Sequence, residues 1–179
     1  MTSNVEAAAS AFPLVPWEAC GITGKPFITN DLEDLVLLGR NDEYFAWERR
    51  PMGRSYYEGL LQFRLGHYWR YGFGVHALWS NGTMVGQAGL QVLDEIQDRV
   101  EFVVFLGNSY VGEGLGRCLA TMLINRCSRA GMKDLYGVVR SDNPEGLRMI
   151  NMIGASKLGF VVHFHQLAEI YQIDLRTAV

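Results

Sequence analysis

Apolar and polar positions along the chain change period several times, and each change marks an element. Val100-Glu101-Phe102-Val103-Val104-Phe105-Leu106 is apolar apart from Glu101 and rich in β-formers, which predicts a buried strand. Beyond it, Leu115, Leu119, Met122 and Leu123 share one face of a 3.6-residue period, while Arg117, Asn125, Arg126 and Arg129 lie mainly elsewhere. That is an amphipathic helix, stopped at Ala130-Gly131. Upstream, Phe27-Ile28-Thr29 reads as a short first strand, and Asn30 with Glu33 as a capping box opening a helix through Leu35, Val36, Leu37 and Leu38. Ser55 with Glu58 repeats that signal for a longer helix ending near Tyr71. Val75 to Trp79 and Thr83 to Leu93 flank Asn81-Gly82, the signature of a hairpin with a type I′ turn, and a polar turn from Asp94 to Asp98 follows. Downstream come a strand at Leu135 to Val139, a helix opened by Asn143-Pro144, and two last strands at Phe160 to His165 and Ile170 to Leu175.

No repeat or low-complexity linker divides this series, and 179 residues with 49% hydrophobic content suit one domain with a sizeable core. We expect that domain to span 25–179, behind an arm at 1–24 that is flexible or loosely docked. Met1 to Pro16 is rich in small residues, lacks the basic start of a signal peptide, and is broken by Pro13 and Pro16. A net charge of -3 argues against nucleic acid or an anionic membrane as partner, and no apolar run approaches the roughly 20 residues that cross a bilayer. Cys118 and Cys127 lie on opposite sides of one predicted helix and cannot bridge each other. With Cys20 they read as reduced thiols of a cytoplasmic protein.

The chemistry concentrates at Tyr110-Val111-Gly112-Glu113-Gly114-Leu115-Gly116-Arg117, between the strand that carries Glu101 and the amphipathic helix. Closely spaced glycines that open a helix present backbone N–H groups at the positive end of its dipole, a site for phosphate or diphosphate. The glycines read G-x-G-x-G and not the dinucleotide fingerprint G-x-G-x-x-G, and the hairpin before them is antiparallel. Both points oppose a nicotinamide enzyme, in which Asp142 would hold the ribose. The run resembles instead the acyl-CoA loop [RQ]-x-x-G-x-[GA] of the GNAT superfamily of N-acetyltransferases. Both glycine positions match, and Val111 replaces the arginine or glutamine. The element order β-α-α-β-β-β-α-β-α-β-β is also that of the GNAT fold, an α/β (α+β) architecture whose mixed sheet has antiparallel N-terminal strands. Within the superfamily the chain is most similar to the RimJ/RimL group, through its aromatic two-helix segment, Gly86-Gln87-Ala88-Gly89-Leu90 and Asn143.

The resemblance implies acetyl-CoA as cosubstrate, no metal, and a primary amine as acceptor, either a small molecule or a protein N-terminus; it also admits a homodimer. It implies that Val111, Gly112, Glu113, Gly114, Leu115, Gly116 and Arg117 cradle the diphosphate, with Glu113 turned to water; Arg148 reads as a surface residue or as a further phosphate contact. The main chain of Phe105 and Leu106 would pair with pantetheine beside a bulge at Gly107, and Asn143 would face the pantetheine arm near the sulfur. Glu101 is the candidate base, since an isolated carboxylate in an apolar strand has a raised pKa; a salt bridge to Arg99 is its bland alternative. Where relatives often carry a tyrosine acid this chain has Ile150, leaving Tyr136, Ser141 and Tyr171 as substitutes. Val111 and Ile150 together suggest a second reading, a degenerate GNAT-fold protein that binds acyl-CoA without catalysis. Aromatics from Tyr44 to Phe73 mostly read as packing of the two helices on the sheet; the resemblance implies that the same segment, with Asp42, Glu43 and Glu48, walls the acceptor site. His163 and His165 form an H-x-H pattern without a third ligand, and read as a surface or partly packed pair.

Overall fold

The computed structural model describes residues 3–41, 52–163 and 166–176. From the second strand onward the expected order is present: β2 (Ile22–Pro26), α2 (Leu32–Asn41), α3 (Arg54–Tyr71), β3 (Val75–Ser80), β4 (Thr83–Asp94), β5 (Arg99–Leu106), α4 (Leu115–Arg129), β6 (Asp134–Arg140), α5 (Pro144–Met152), β7 (Ser156–His163) and β8 (Gln166–Asp174). Ahead of it stand two unexpected elements, α1 (Asn4–Ala11) and β1 (Trp17–Ala19). One sheet runs β1-β2-β3-β4-β5-β6-β8-β7, antiparallel throughout except where β5 meets β6. One core cluster lies under α2 and α3, built on Phe27, Leu35, Leu61 and Ala77; another unites α1, α4 and α5 through Phe12, Leu119, Leu123 and Ile150.

The hairpin turn has positive φ at both Asn81 (49°) and Gly82 (78°), as a type I′ turn requires. The strand expected at 27–29 lies instead at Ile22–Pro26, because the chain pairs with β3 up to Pro26↔His76 and Thr29–Asp31 then coils into a 3₁₀ turn. There the Asp31 carboxylate, and not Asn30, caps by accepting the Ile28 N–H at 2.8 Å.

Of the arm expected at 1–24, the described residues 3–24 are instead part of the folded body. Ser3 and Glu6 form a reciprocal capping box on α1, and its apolar face buries Ala8 and Phe12 completely. Asn4 clamps the helix down: its side chain donates to Asp134 at 2.8 Å and accepts from the Lys133 N–H at 2.9 Å, while its own N–H donates to Asp98 at 2.7 Å. The Arg126 guanidinium covers the rings of Phe12 and Trp17. The small residues that suggested a loose segment are those that let a short helix approach α4 closely.

The cysteines are a second correction. Cys20 and Cys118 form a disulfide with Cα atoms 6.1 Å apart, and Cys127 is free and buried. Nothing in the sequence brings residue 20 to residue 118; the sheet does, by leading β1 and β2 past the first turn of α4. The ground for expecting reduced thiols throughout is thereby removed. No described helix is long and apolar enough to cross a membrane.

Candidate active site

Among the described residues β5 and β6 pair at Glu101↔Tyr136 alone, and part beyond it. Beyond that point a cleft of about 400 Å³ is lined by Val104, Phe105 and Leu106 of β5, by most of the loop from Tyr110 to Arg117, and by Asn143 with the first turns of α5. β5 keeps its ladder to β4 through Leu106↔Gly86, and Gly107 N–H continues it to the Val85 carbonyl at 2.8 Å. No bulge forms at Gly107; the register shift of this pair lies at Val92 to Asp94 instead.

The glycine loop enters α4 without a side-chain cap. Gly114 is the N-cap, with φ 79°, and Gly112 has φ 92°. Nothing stands within 4 Å of a Cβ built on either, so it is backbone angle that calls for glycine at these two positions. The first bond inside α4 runs from the Cys118 N–H to the Gly114 carbonyl, at 3.0 Å. The N–H groups of Leu115, Gly116 and Arg117 precede that bond and have no partner within the helix. A Cβ on Gly116 would touch Leu106 and Met149, each at 3.7 Å, so α4 begins where β5 and α5 come together.

Of the residues expected to contact the cofactor, Phe105, Leu106, Val111, Gly112, Gly114, Gly116, Arg117, Asn143 and Arg148 line the cleft; Glu113 and Leu115 do not. Glu113 is exposed. Asn143 caps α5 by accepting the Gly146 N–H at 3.0 Å and also lines the cleft. Arg148 is exposed and pairs with Glu145 at 2.6 Å. The sequence reading missed Val104, Tyr110, Glu145, Gly146, Met149 and Met152. The α5 residues were legible in principle, since an Asn-Pro cap fixes where the helix starts and hence which side chains follow at i+3 and i+6.

Glu101 lies at the fork of the two strands, 5% exposed, with its carboxylate accepting from Gln91 Nε2 at 2.7 Å and from the Val138 backbone N–H. Burial pushes the Glu101 carboxyl up to about 7; the Gln91 hydrogen bond, the Arg64 charge and the Val138 N–H hold it from rising further. The anticipated salt bridge to Arg99 is not what holds it: the Arg99 guanidinium lies over the Tyr136 ring instead. Glu101 is not among the cleft's lining residues.

Three hydroxyls were weighed as acids. Ser141 and Tyr171 both donate to Glu169, at 2.9 and 2.6 Å, and that bond raises the Tyr171 phenol to about 12. Tyr136 is raised by burial. Ile150 is wholly buried against the sheet. Asp142, the ribose ligand of the nicotinamide reading, pairs with Arg140 at 2.6 Å.

Among the described aromatics between Met52 and Phe73 none lines the cleft. Tyr57, Tyr68 and Phe73 are core, whereas Tyr56, Phe63 and Trp69 face solvent. Asp42, Glu43, Tyr44, Phe45, Trp47, Glu48 and His165 lie outside the described residues. Among the described residues no three His, Cys, Asp or Glu side chains are grouped to hold a metal.

A sheet that splits between its parallel strands, with a glycine-led helix at the split, has close structural counterparts. A GNAT-family acetyltransferase from Bacillus anthracis superposes with a TM-score of 0.68 at 12% identity, over 90% of this chain and 99% of that one. The chain has the GNAT fold. The microcin C7 self-immunity acetyltransferase MccE, solved with acetyl-CoA and AMP, gives 0.73 at 16% identity over 93% and 99% of the two chains. RimL, the ribosomal L7/L12 α-N-protein acetyltransferase in complex with coenzyme A, gives 0.70 at 13% over 87% and 95%. No protein-family model matches the sequence.

Proposed function

We propose that the protein is an acetyl-CoA-dependent N-acetyltransferase that acts on a primary amine, either a small molecule or a protein N-terminus. The observation that carries this reading is the cleft itself. A helix N-terminus without a side-chain cap opens onto it, mostly apolar side chains line its wall, and a buried carboxylate lies on the same strand, where β5 meets β6. The donor sets fit acetyl-CoA: backbone N–H groups and Arg117 suit a diphosphate, and the apolar wall from Val104 to Leu106 suits a pantetheine arm. When bound, acetyl-CoA supplies a thioester whose acyl group is open to attack by an amine.

In this reading the loop from Val111 to Arg117 binds and orients, and Asn143 lines the cleft while its side-chain oxygen holds the Gly146 cap. Glu101 accepts, through water, the proton that the attacking amine must lose. Its carboxyl near 7 is half ionised at neutral pH, which suits a base better than an ordinary glutamate would. A CoA thiolate is a weak base and needs no proton to depart, so the engagement of Tyr171 with Glu169 costs the reaction nothing essential. We assign the protein to the cytoplasm, where its cosubstrate is made; the Cys20–Cys118 bridge is then an exception to the rule for reducing compartments.

A catalytically degenerate acyl-CoA binder is favoured by two observations, the absent side-chain donor at Val111 and the buried Ile150. Calorimetry with acetyl-CoA, CoA and NAD, followed by an acetylation screen over amines and N-terminal peptides, separates the readings. Binding with turnover supports the enzyme and binding without turnover the degenerate reading. Failure to bind either thioester or thiol rejects both.

A further inference from the structure

Arg64 is the charged residue of α3 that turns inward. It is 7% exposed in a helix whose other charged groups, Arg54, Glu58 and Arg70, face water. Among the described residues its guanidinium does not meet a carboxylate directly. Nη1 donates to Gln91 Oε1 at 2.5 Å and Nη2 to Gln87 Oε1 at 3.1 Å. Gln91 is the cross-strand partner of Glu101, and its Nε2 passes the interaction on to that carboxylate at 2.7 Å. One amide therefore stands between a buried cation and a buried anion, with its oxygen toward the positive end and its N–H toward the negative end. Gln87 and Gln91 lie four positions apart on β4, so they project from the same face and both reach the same guanidinium.

This geometry has a chemical consequence. A guanidinium bonded directly to Glu101 would pin it as an inert ion pair. Without any cation the same burial would leave it protonated. Placing Gln91 between them keeps the attraction but weakens it by distance, and fixes the carboxylate rotamer at the strand fork. We infer that Arg64, acting through Gln91, is a positioning residue that orients Glu101 and keeps it able to ionise for its role as base. The inference rests on the proposed role of Glu101. Other groups that bear on this pair are Tyr56, Tyr68 and His67 on α3, and Tyr136, Arg99 and the Val138 N–H around the fork. All are retained in the variants below.

The test begins with a readout that needs no acceptor. In protein labelled with ¹³C at the glutamate carboxyl carbons, the Glu101 signal, assigned by its loss in Glu101→Gln, is titrated in wild type, Arg64→Met and Gln91→Leu. Each variant removes an interaction that favours the ionised form, so the midpoint should rise by about one pH unit or more. From a start near 7 this lowers the ionised fraction at pH 7 about fivefold. With phenethylamine and an alanine-led peptide as acceptors, the variant-to-wild-type ratio of kcat should be about fivefold down at pH 7 and near one at pH 9, because the ratio cancels the amine's own titration. CoA affinity should stay within about twofold of wild type, since neither residue touches the cleft. Arg64→Lys should restore part of the shift. If Arg64→Met does not fold, Gln91→Leu carries the same readout. An unchanged midpoint in a folded variant overturns the inference, as does a rate loss equal at both pH values. If the midpoint moves while Glu101→Gln keeps its rate, the coupling stands and the base assignment fails with the inference that rests on it.

Discussion

The Cys118 N–H donates to the Gly114 carbonyl at 3.0 Å, closing the first turn of α4, and the sulfur of the same residue is joined to Cys20. The turn whose leading N–H groups have no partner within the helix is thereby tied to the loop between β1 and β2. Under denaturing conditions without reductant, one thiol, that of Cys127, should react with a thiol reagent, and after reduction all three cysteines should. Cys20→Ser should lower the unfolding free energy by about 2–4 kcal/mol, because the bridge closes a long loop in the unfolded chain. Urea titration of the oxidised protein, the reduced protein and the variant checks it. Coincident curves would mean the bridge contributes no stability.

Gly114→Asp should weaken CoA binding steeply while circular dichroism stays native. Aspartate tolerates the left-handed angle at this position better than most residues, and the Cβ meets no atom within 4 Å, so the fold survives. The new carboxylate stands where a diphosphate would lie. Calorimetry showing wild-type affinity in the folded variant would remove the loop from the binding site.

Glu101→Gln should lower turnover by roughly a hundred- to ten-thousandfold at neutral pH with CoA affinity nearly intact, as expected of a positioned base. Steady-state kinetics on an accepted amine decide it, and a loss of less than a few-fold returns Glu101 to a structural part.

Two buried groups set an opposed pH dependence of stability. Native Glu101, raised to about 7 by burial, holds a proton that the unfolded chain releases near 4.5, so its contribution falls as pH rises across that window. Native His76 is neutral, its Nδ1 accepting from Trp17 Nε1 at 2.9 Å, with its pKa lowered to about 3 by burial and then by Arg126. The unfolded chain protonates His76 near 6.5, so that contribution falls as pH drops. Between about 4.5 and 6.5 the two slopes oppose each other. Glu101→Gln should leave the histidine slope alone, and stability measured by denaturant should then rise with pH relative to wild type across that range.

Phe12→Ala should cost about 3–5 kcal/mol, the usual penalty for emptying a fully buried aromatic site. A thermal or urea midpoint that barely moves would restore the view of the N-terminus as a loose arm.

How much of this could be read from the chain follows from the range of the interactions involved. The hairpin at Asn81-Gly82, the helix after Gly114 and the cap at Asn143 are set by neighbours a few residues apart, and the sequence reading placed them well. So was Glu101 singled out, because one carboxylate among valines and phenylalanines is a local anomaly. Its partners were not: Gln91 and Arg64 lie 10 and 37 positions away and become neighbours only when β4 pairs with β5 and α3 crosses them. The docking of α1 through Asn4 spans 94 and 130 positions to Asp98 and Asp134, and the Cys20–Cys118 bridge spans 98. Contacts of that reach are products of topology, and residue spacing carries no trace of them.

The bridge also divides the chain covalently in a way the sheet does not. Residues 20–118 form a closed ring that holds β2 to β5, α2, α3 and the whole glycine loop, while β6, α5, β7 and β8 belong to a tail issuing from it. A single peptide cut inside the ring releases no fragment until the sulfurs are reduced; a cut in the tail does so at once. The cleft is the seam of these two parts, with Val104 to Arg117 contributed by the ring and Asn143 to Met152 by the tail.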